Sequence, residues 1–240
     1  MKKISAENLD YRELNNALHE CHCDATVTDC LGQRFIAAGK AHYNYVIEGI
    51  SGNALGAYLN GSVIRVNGNA QDAVGDTMNA GQIFINGNVG DAVGYAMRGG
   101  EIYVKGNAGY RAGIHMKAYK EKKPIMVIGG KAGSFLGEYQ AGGLIVVLGL
   151  SDNNKPIVGN FPCTGMHGGK MFLRTKPESV DFSGRVNVNK AEKEDLEEIK
   201  PYISNFCKEF GYDEKEILNS EFTLVTPDTK NPYKQMYVAN

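Results

Sequence analysis

Short apolar runs recur along the middle of the chain, each bounded by glycine and asparagine. The runs at 82–85 and 101–104 lie 19 residues apart, and a similar run at 144–148 follows a longer interval. Apolar, β-branched runs of this length between Gly and Asn predict strands joined by tight turns. A helical interpretation fails because each unit would contain two or three glycines, which cost about 1 kcal/mol apiece relative to Ala.

The glycines repeat at fixed spacing. Gly-Asn pairs at 68–69, 87–88 and 106–107 are 19 residues apart. A further glycine follows seven residues after the first in all three units, and another follows after thirteen in the first two. The pattern resumes at 130 after a unit that is longer by five residues, near 117–123. We predict turns with positive φ here, because Gly has no Cβ to clash and Asn tolerates this backbone. The predicted turn residues are Gly68, Asn69, Gly75, Gly81, Gly87, Asn88, Gly94, Gly100, Gly106, Asn107, Gly113, Gly130, Gly137, Gly143 and Gly149.

Units of this length are too short for a propeller blade, but they suit a coil of two or three short strands stacked on the next coil. The predicted fold class is therefore all-β: a single-stranded right-handed β-helix (β-solenoid) with flanking helices at the N- and C-termini. Parallel stacking places Ile83 near Ile102 and Ile85 near Val104, and it stacks the three Gly-Asn asparagines at one corner.

We divide the chain into a cap or lead-in segment at 1–45, the repeat domain at 46–188, and a helical segment with an extended tail at 189–240. A solenoid exposes backbone edges at both ends. We therefore expect caps or partner subunits there, or self-association into a homo-oligomer.

Both flanks predict helices. Ser5 resembles an N-cap, and leucines at near-helical spacing follow it up to Leu18, which predicts a short helix over the first coil. In the later flank, apolar residues at i, i+3 and i+7 predict an amphipathic helix, and 212–218 adds a second helical turn. These apolar residues are Leu196, Ile199, Ile203, Phe206 and Phe210. The tail at 221–240 contains two prolines and predicts an extended arm.

Charge and hydropathy exclude two classes of partner. The 240 residues carry a net charge of −1, so no basic excess favours nucleic acid or an anionic membrane surface. No apolar stretch approaches the roughly 20 residues that span a bilayer, and residues 1–10 lack the apolar core of a signal peptide. We expect a cytoplasmic protein with neither nucleic acid nor membrane as partner.

The five cysteines are an odd number for a disulfide framework. Cys21, Cys23 and Cys30 lie close to His19 and His22, which raises a metal or redox role as an alternative. The spacing lacks the paired CxxC arms that structural zinc sites commonly use. We expect these cysteines to be buried or simply reduced.

Several stretches resemble the GxGxG-type repeats in the carboxy-terminal β-helix of the glutamate synthase large subunit. They are residues 69–75, 106–113, 138–149 and 165–169, and their order matches as well. The resemblance covers roughly 49–174, and the segment from 194 to Tyr233 is similar to the terminal helical tail of that family. The same β-helix occurs in one of the subunits of formylmethanofuran dehydrogenase, but the Glu138-Tyr139 unit and the tail favour glutamate synthase.

The resemblance implies a structural role. In glutamate synthase an amidotransferase domain releases ammonia from glutamine, and a flavin domain with an iron–sulfur cluster adds it to 2-oxoglutarate and reduces the adduct. The β-helix holds these parts in register. We expect a non-catalytic scaffold without catalytic, cofactor-binding or metal-binding residues, with FMN and the iron–sulfur cluster in partner subunits. The alternatives are a component like the β-helical subunit of formylmethanofuran dehydrogenase and a free-standing β-helix enzyme.

Four residues are predicted to lie at an interface. Arg111 resembles a position that the family keeps, and we expect it to pair with Glu138 or with a carboxylate of a partner. His115 and His167 follow glycines in loops, where a base or a ligand can sit. His115 also lies within 114–116, where the sequence departs from the Arg-Asn-Ser common in the family.

Weaker signals have structural explanations. Asp72, Asp76 and Asp91 recur at related turn positions, and stacked carboxylates could bind a cation, but turn capping explains them better. The stretch from Cys163 to His167 is the nearest approach to a reactive constellation, against a simple turn. The repeats also contain tyrosines but no repeated carboxylate pair, which favours a scaffold over an enzyme acting on polysaccharides. These tyrosines are Tyr58, Tyr95, Tyr103 and Tyr110.

Overall fold

The computed structural model describes residues 1–151, 156–182 and 185–228. Within these ranges the chain forms one sheet of 11 strands and three α-helices. The strands are β1 (Lys2–Ser5), β2 (Ala25–Leu31), β3 (Asn44–Ile50), β4 (Asn60–Asn67), β5 (Ala80–Ile85), β6 (Glu101–Val104), β7 (Ile125–Ile128), β8 (Ala141–Val147), β9 (Gly168–Leu173), β10 (Val186–Lys190) and β11 (Thr223–Pro227). The helices are α1 (Tyr11–Cys21), α2 (Lys193–Phe210) and α3 (Glu214–Leu218). The part of the predicted arm beyond residue 228 lies outside the described residues.

Strands β1 to β9 pair in parallel in chain order, each with the equivalent strand of the next coil. Ile83 lies opposite Ile102 and Ile85 opposite Val104, as the repeat predicts. On a second side of the coils the pairing shrinks to single bridges, such as that between Ala70 and Val89. The predicted all-β solenoid is confirmed. Its coils extend into the segment expected to be a cap, because β1 and β2 lie within residues 1–45.

The stacked asparagines form a ladder at one corner. The backbone N–H of Asn88 donates to Oδ1 of Asn69 at 2.8 Å, and the N–H of Asn107 donates to Oδ1 of Asn88 at 2.8 Å. The N–H of Lys131 donates in the same way to Oδ1 of Asn107 at 2.8 Å. Each carboxamide therefore satisfies a backbone donor of the following coil, and the predicted stacking is confirmed.

The glycine before each asparagine is needed because a Cβ would clash with the preceding coil, and not because its φ is positive. Positive φ is absent at Gly68, Gly87, Gly106 and Gly130 and at the asparagines, so that prediction is wrong for these residues. A Cβ on Gly106 would overlap Oδ1 of Asn88 from the coil before. The Gly-Asn pair is thus one device repeated from coil to coil. Positive φ is confirmed at Gly75, Gly81, Gly94, Gly100, Gly113, Gly137, Gly143 and Gly149.

The two faces of the sheet enter different cores. Residues that point into the coils form an apolar column that runs along the solenoid: Ile64, Ile83, Ile102, Met126, Ile145 and Met171, all buried. The outer face of β5 to β9 packs against α2 and α3 in a second apolar cluster. Strand β7 is consequently buried on both faces, and its sequence is a continuous apolar run rather than an alternating one.

Ion pairs also attach α2 to the sheet. Glu198 accepts from Nζ of Lys170 at 2.8 Å and also from Nζ of Lys123. Glu209 accepts from Nε of Arg65 at 2.8 Å. The helix therefore spans the outer face from β4 to β9.

The predicted helices are present, but the first begins later than predicted. Ser5 lies in β1, so the N-cap prediction is wrong. Asp10 is the N-cap of α1 and forms a capping box with Glu13. The amphipathic α2 and the short α3 are confirmed, with Ile199 and Ile203 fully buried. In the described part of the chain, no helix has the length and apolar character needed to cross a bilayer.

An antiparallel pair covers the C-terminal edge of the parallel strands. Strand β11 pairs with β9 in the antiparallel sense, and β10 pairs with the far side of β11. Parallel stacking therefore ends at β9.

The asparagine ladder predicts a graded loss of stability. Asn88→Ala removes the acceptor for the N–H of Asn107, and we expect it to lower the free energy of unfolding by about 1 kcal/mol. Asn88→Asp retains an acceptor oxygen at the same place and should lose less. Urea denaturation followed by circular dichroism measures both, and equal losses in the two variants would contradict the ladder.

The attachment of α2 predicts a pH dependence. Partial burial alone would raise the pKa of Glu198, but the hydrogen bonds and charges of Lys123 and Lys170 outweigh it and hold the pKa below its ordinary value. A carboxyl with a lowered pKa adds stability above its unfolded pKa and loses it as the pH falls through the folded pKa.

We therefore expect Glu198→Gln to be less stable than the native chain at pH 7 by about 1 kcal/mol. The difference should shrink as the pH falls below about 4.3, the ordinary Glu pKa. Glu197→Gln on the same helix is the control, since Glu197 is largely exposed and its ion pair is with Lys200 of the same helix. Denaturant titrations across the pH range test this, and a constant difference would refute it.

Candidate functional site

One turn of each coil has positive φ at alternate residues. In one coil these are Arg111 (φ 56), Gly113 (φ 69) and His115 (φ 56), and the next coil repeats the pattern within 135–139. The N–H groups of Arg111 and His115 donate to carbonyls of the following coil at 2.9 Å, whereas the N–H of Gly113 donates to the preceding coil at 2.8 Å. The alternation satisfies backbone donors in both directions.

The first of these positions changes character along the solenoid. A left-handed backbone costs an L-residue roughly 1–2 kcal/mol, and bulky residues there are uncommon. Such strain persists mainly where the surroundings or the function require the side chain. The position carries Phe35 in the first coil, Ala54, Ala73 and Ala92 in the next three, and then Arg111, Phe135 and Phe161. Three successive coils thus accept alanine at this position, whereas the three that follow them place large side chains there.

These large side chains contact one another. Nε of Arg111 lies 3.2 Å from Oε2 of Glu138, and its guanidinium lies 5.3 Å from the centre of the Phe135 ring. The Phe135 and Phe161 ring centres are 5.4 Å apart. The expected pairing of Arg111 with Glu138 is present. Because the Arg111 side chain is 55% exposed, its guanidinium can also reach a carboxylate outside the chain.

A second row of rings lies four residues further along the same turns. The His115 ring stacks on Tyr139, with centres 5.1 Å apart and an interplanar angle of 11°. Tyr95 approaches His115 edge-on at 6.0 Å. The N–H of His115 donates to the carbonyl of Glu138 at 2.9 Å, which joins this row to the first.

These contacts define one continuous patch, which we call the corner surface. It consists of Tyr95, Arg111, His115, Phe135, Glu138, Tyr139 and Phe161. Tyr95, Arg111, His115 and Phe161 are exposed, and the other three are partly buried. Tyrosine, phenylalanine and arginine are the residue types enriched in the centres of protein interfaces.

The structure brings three of the four predicted interface residues together. Arg111, Glu138 and His115 belong to the corner surface, whereas His167 lies in the next turn with Nδ1 2.9 Å from the carbonyl oxygen of Gly165. Gly165 itself lies against the Tyr139 ring. A Cβ added at Gly165 would lie 2.5 Å from Cδ1 of Tyr139. His167 therefore borders the corner surface without a ring contact in it.

Three of the rings in the patch, Phe135, Tyr139 and Phe161, were not predicted as interface residues. Phe135 and Tyr139 follow Arg111 and His115 by 24 residues, the length of the enlarged unit, so aligning that unit through its insertion would have revealed both columns. Of the tyrosines noted in the repeats, Tyr103 is buried and stacks on Phe84 at 4.9 Å beneath α2.

The stretch from Cys163 to His167 does not form a reactive pair. Cys163 is fully buried, its Sγ lies 3.6 Å from Sδ of Met171, and burial raises the pKa of its thiol to about 12. A thiol this far from ionisation and from solvent is a poor nucleophile. His167 contacts the Gly165 carbonyl instead.

The turn aspartates act as caps. Oδ1 of Asp72 accepts from the N–H of Asp91, and Oδ1 of Asp91 accepts from the N–H of Tyr110, both at 2.8 Å. Asp76 accepts from the hydroxyl of Thr77 at 2.7 Å. Across residues 1–151, 156–182 and 185–228, no three His, Cys, Asp or Glu side chains are grouped to hold a metal ion.

The cysteines correct one expectation. Cys21 and Cys23 are joined by a disulfide, which the expectation of reduced cysteines did not include. Cys30 is buried, as expected, and burial raises the pKa of its thiol.

The comparisons with known proteins agree with the architecture. Residues 12–228 match the family described as GXGXG motif. The chain is also 45% identical, over 248 aligned positions, to Uncharacterized protein MJ1350 of Methanocaldococcus jannaschii. That alignment covers 98% of this chain and 95% of the relative.

The backbone at Arg111 predicts an inverted order of substitutions. Because Gly has no penalty at positive φ, we expect Arg111→Gly to be more stable than Arg111→Ala by about 1 kcal/mol. Arg98, which is exposed and has no positive φ, is the control, and there Gly should be the less stable substitution. Thermal and urea denaturation of the four variants decide the point. The same order at both sites would refute the strain argument.

Proposed function

Because the chain belongs to the GXGXG motif family, we propose that it is a non-catalytic scaffold of a glutamate-synthase-like oxidoreductase. It would hold an amidotransferase part and a flavin/iron–sulfur part in register. FMN and the cluster then belong to partner subunits, and the complex is cytoplasmic. The family match over residues 12–228 supports the architecture of such a component, and its chemistry is carried elsewhere in the complex.

The observation that carries the proposal is the corner surface. Large aromatic side chains and an arginine adjoin there on backbone that disfavours them, at a turn position that carries alanine in three other coils. Interface energy concentrates in such residues, above all Trp, Tyr and Arg. The β-helix positions them on hydrogen-bonded coils, so the patch is held in place before a partner docks.

The polar groups of the described residues fit a scaffold better than an enzyme. The carboxylate of Glu138 is paired with Arg111, and Asp72 and Asp91 accept backbone hydrogen bonds. Glycosidases that act on polysaccharides need two carboxylates facing each other across a groove. Self-association through the ends of the solenoid stays a prediction.

Co-purification from the native cells tests the proposal. The tagged chain should capture a glutamine-hydrolysing subunit and a subunit with flavin absorbance and iron–sulfur content. Capture of molybdenum or tungsten subunits would favour the formylmethanofuran dehydrogenase alternative. A chain that purifies alone and turns over a substrate would refute the scaffold.

A matched pair of variants locates the docking surface. Tyr139→Ala removes an aromatic ring from the corner surface, and Tyr58→Ala removes an exposed ring from the same turn position of an earlier coil (φ 57). Loss of an interface hot spot costs about 2 kcal/mol or more, so we expect Tyr139→Ala to weaken partner binding by about 30-fold. Tyr58→Ala should bind like the native chain. Equal binding by both variants would place the interface elsewhere.

A further inference from the structure

The end of α1 contains a cysteine pair that the scaffold role does not use. Cys21 is the last residue of α1, Cys23 precedes β2, and a disulfide joins them. His22 between them is exposed and has positive φ (44°), which turns the chain so that the two side chains meet. Both cysteines are partly buried, so solvent reaches the pair.

The disulfide contributes little to the stability of the fold. A disulfide stabilises by restricting the unfolded chain, and the restriction is smallest when the closed loop is short. Here the loop contains one intervening residue. Helix α1 is already attached by the buried Leu14 and Leu18, and by Nδ2 of Asn15, which donates to the Arg34 carbonyl at 2.9 Å. Stability therefore does not explain the pair, and we look for a chemical role instead.

The other thiols differ from this pair. Cys30, Cys163 and Cys207 are buried, and burial raises the pKa of each thiol. Thiolates, not thiols, attack disulfides, so these three are poorly reactive in the folded chain. Cys21 and Cys23 are therefore the cysteines that solvent reaches, and they are the candidates for thiol chemistry.

Basic groups lie at the same end of the helix. Nζ of Lys40 is 3.4 Å from the Leu18 carbonyl and 3.3 Å from Nδ1 of His19. Two acidic residues flank the pair in sequence: Glu20 is exposed, and Asp24 is engaged by the N–H and Nδ2 of Asn44 at 2.8 and 3.1 Å. Lys40 and His19 thus supply basic groups at the end of α1 that carries the pair, and partial exposure with basic groups nearby favours a reactive cysteine.

We propose that Cys21 and Cys23 are a thiol–disulfide exchange site for low-molecular-weight thiols. A thiolate R–S⁻ attacks one sulfur of the pair, the Cys21–Cys23 bond breaks, and the other cysteine leaves as a thiolate. Attack by a second R–S⁻ on the mixed disulfide releases R–S–S–R and leaves both cysteines reduced. Two electrons pass from the thiols to the protein, and R–S–S–R reverses the sequence. The site is independent of the proposed scaffold role.

Alkylation of the folded protein is the first test. After oxidation with glutathione disulfide, iodoacetamide should label neither Cys21 nor Cys23, and after mild reduction with dithiothreitol it should label both. Peptide mapping by mass spectrometry should find the three buried cysteines unlabelled in both samples. Free thiols after oxidation, or a pair that resists dithiothreitol in the folded chain, would overturn the proposal.

Single substitutions test whether the two cysteines act together. With glutathione disulfide, Cys21→Ser and Cys23→Ser should each retain one glutathione, because the partner thiol that would displace it is missing. The native chain should release it and close the disulfide, and the double Ser variant should take up none. A native chain that retains glutathione as long as the single variants would show that the pair does not exchange.

Discussion

The contact between one coil and the next is the constraint on which the rest of the structure depends. Backbone groups of successive coils lie at hydrogen-bonding distance, as between the Gly106 N–H and the Gly87 carbonyl at 2.9 Å. Where a side chain of one coil passes over the backbone of the next, the next residue has no room for a Cβ. Asn88 over Gly106 is such a place. The dipeptide therefore repeats because each asparagine needs a glycine opposite it in the next coil and supplies an acceptor to the residue after that glycine.

The strand register could be predicted because the unit length is constant over several coils. Ile83 opposite Ile102 follows from the spacing alone. The register also survives the enlarged unit, since Ile102 pairs with Met126 and the extra residues leave the coil in a turn. The spacing of the repeats does not predict where α2 packs. An amphipathic pattern shows that one face of a helix is buried, but not against which surface. The missed signal lies in the strands, where the outward residue changes from Arg65 to the apolar rings of later coils.

The ion pair of the candidate site could be predicted from the sequence, whereas its aromatic contacts could not. Opposite charges at Arg111 and Glu138 are visible in the sequence, and their ion pair is present. The stack of His115 on Tyr139 depends on an alignment through the insertion, which glycine spacing does not provide. Backbone strain is likewise invisible in a sequence, because the same turn carries Ala92 in one coil and Arg111 in the next. The corner surface stands out only when side-chain size and φ are compared at equivalent positions.

Most faces of the solenoid are already covered or engaged, which limits the surfaces on which the proposed partner can dock. The interior is filled by its own apolar column, and α2 with α3 covers the outer face of the later strands. The asparagine corner offers small polar groups already engaged by the next coil. The turns at 111–115 and 135–139 instead present rings and a guanidinium, held by hydrogen bonds to both neighbouring coils. A partner that binds there meets groups whose positions the coil stack has already fixed, so little ordering entropy is lost on docking. A stack of coils that fills its own core and exposes rings and a guanidinium at one corner fits the proposed scaffold, which has to hold other subunits at a set distance.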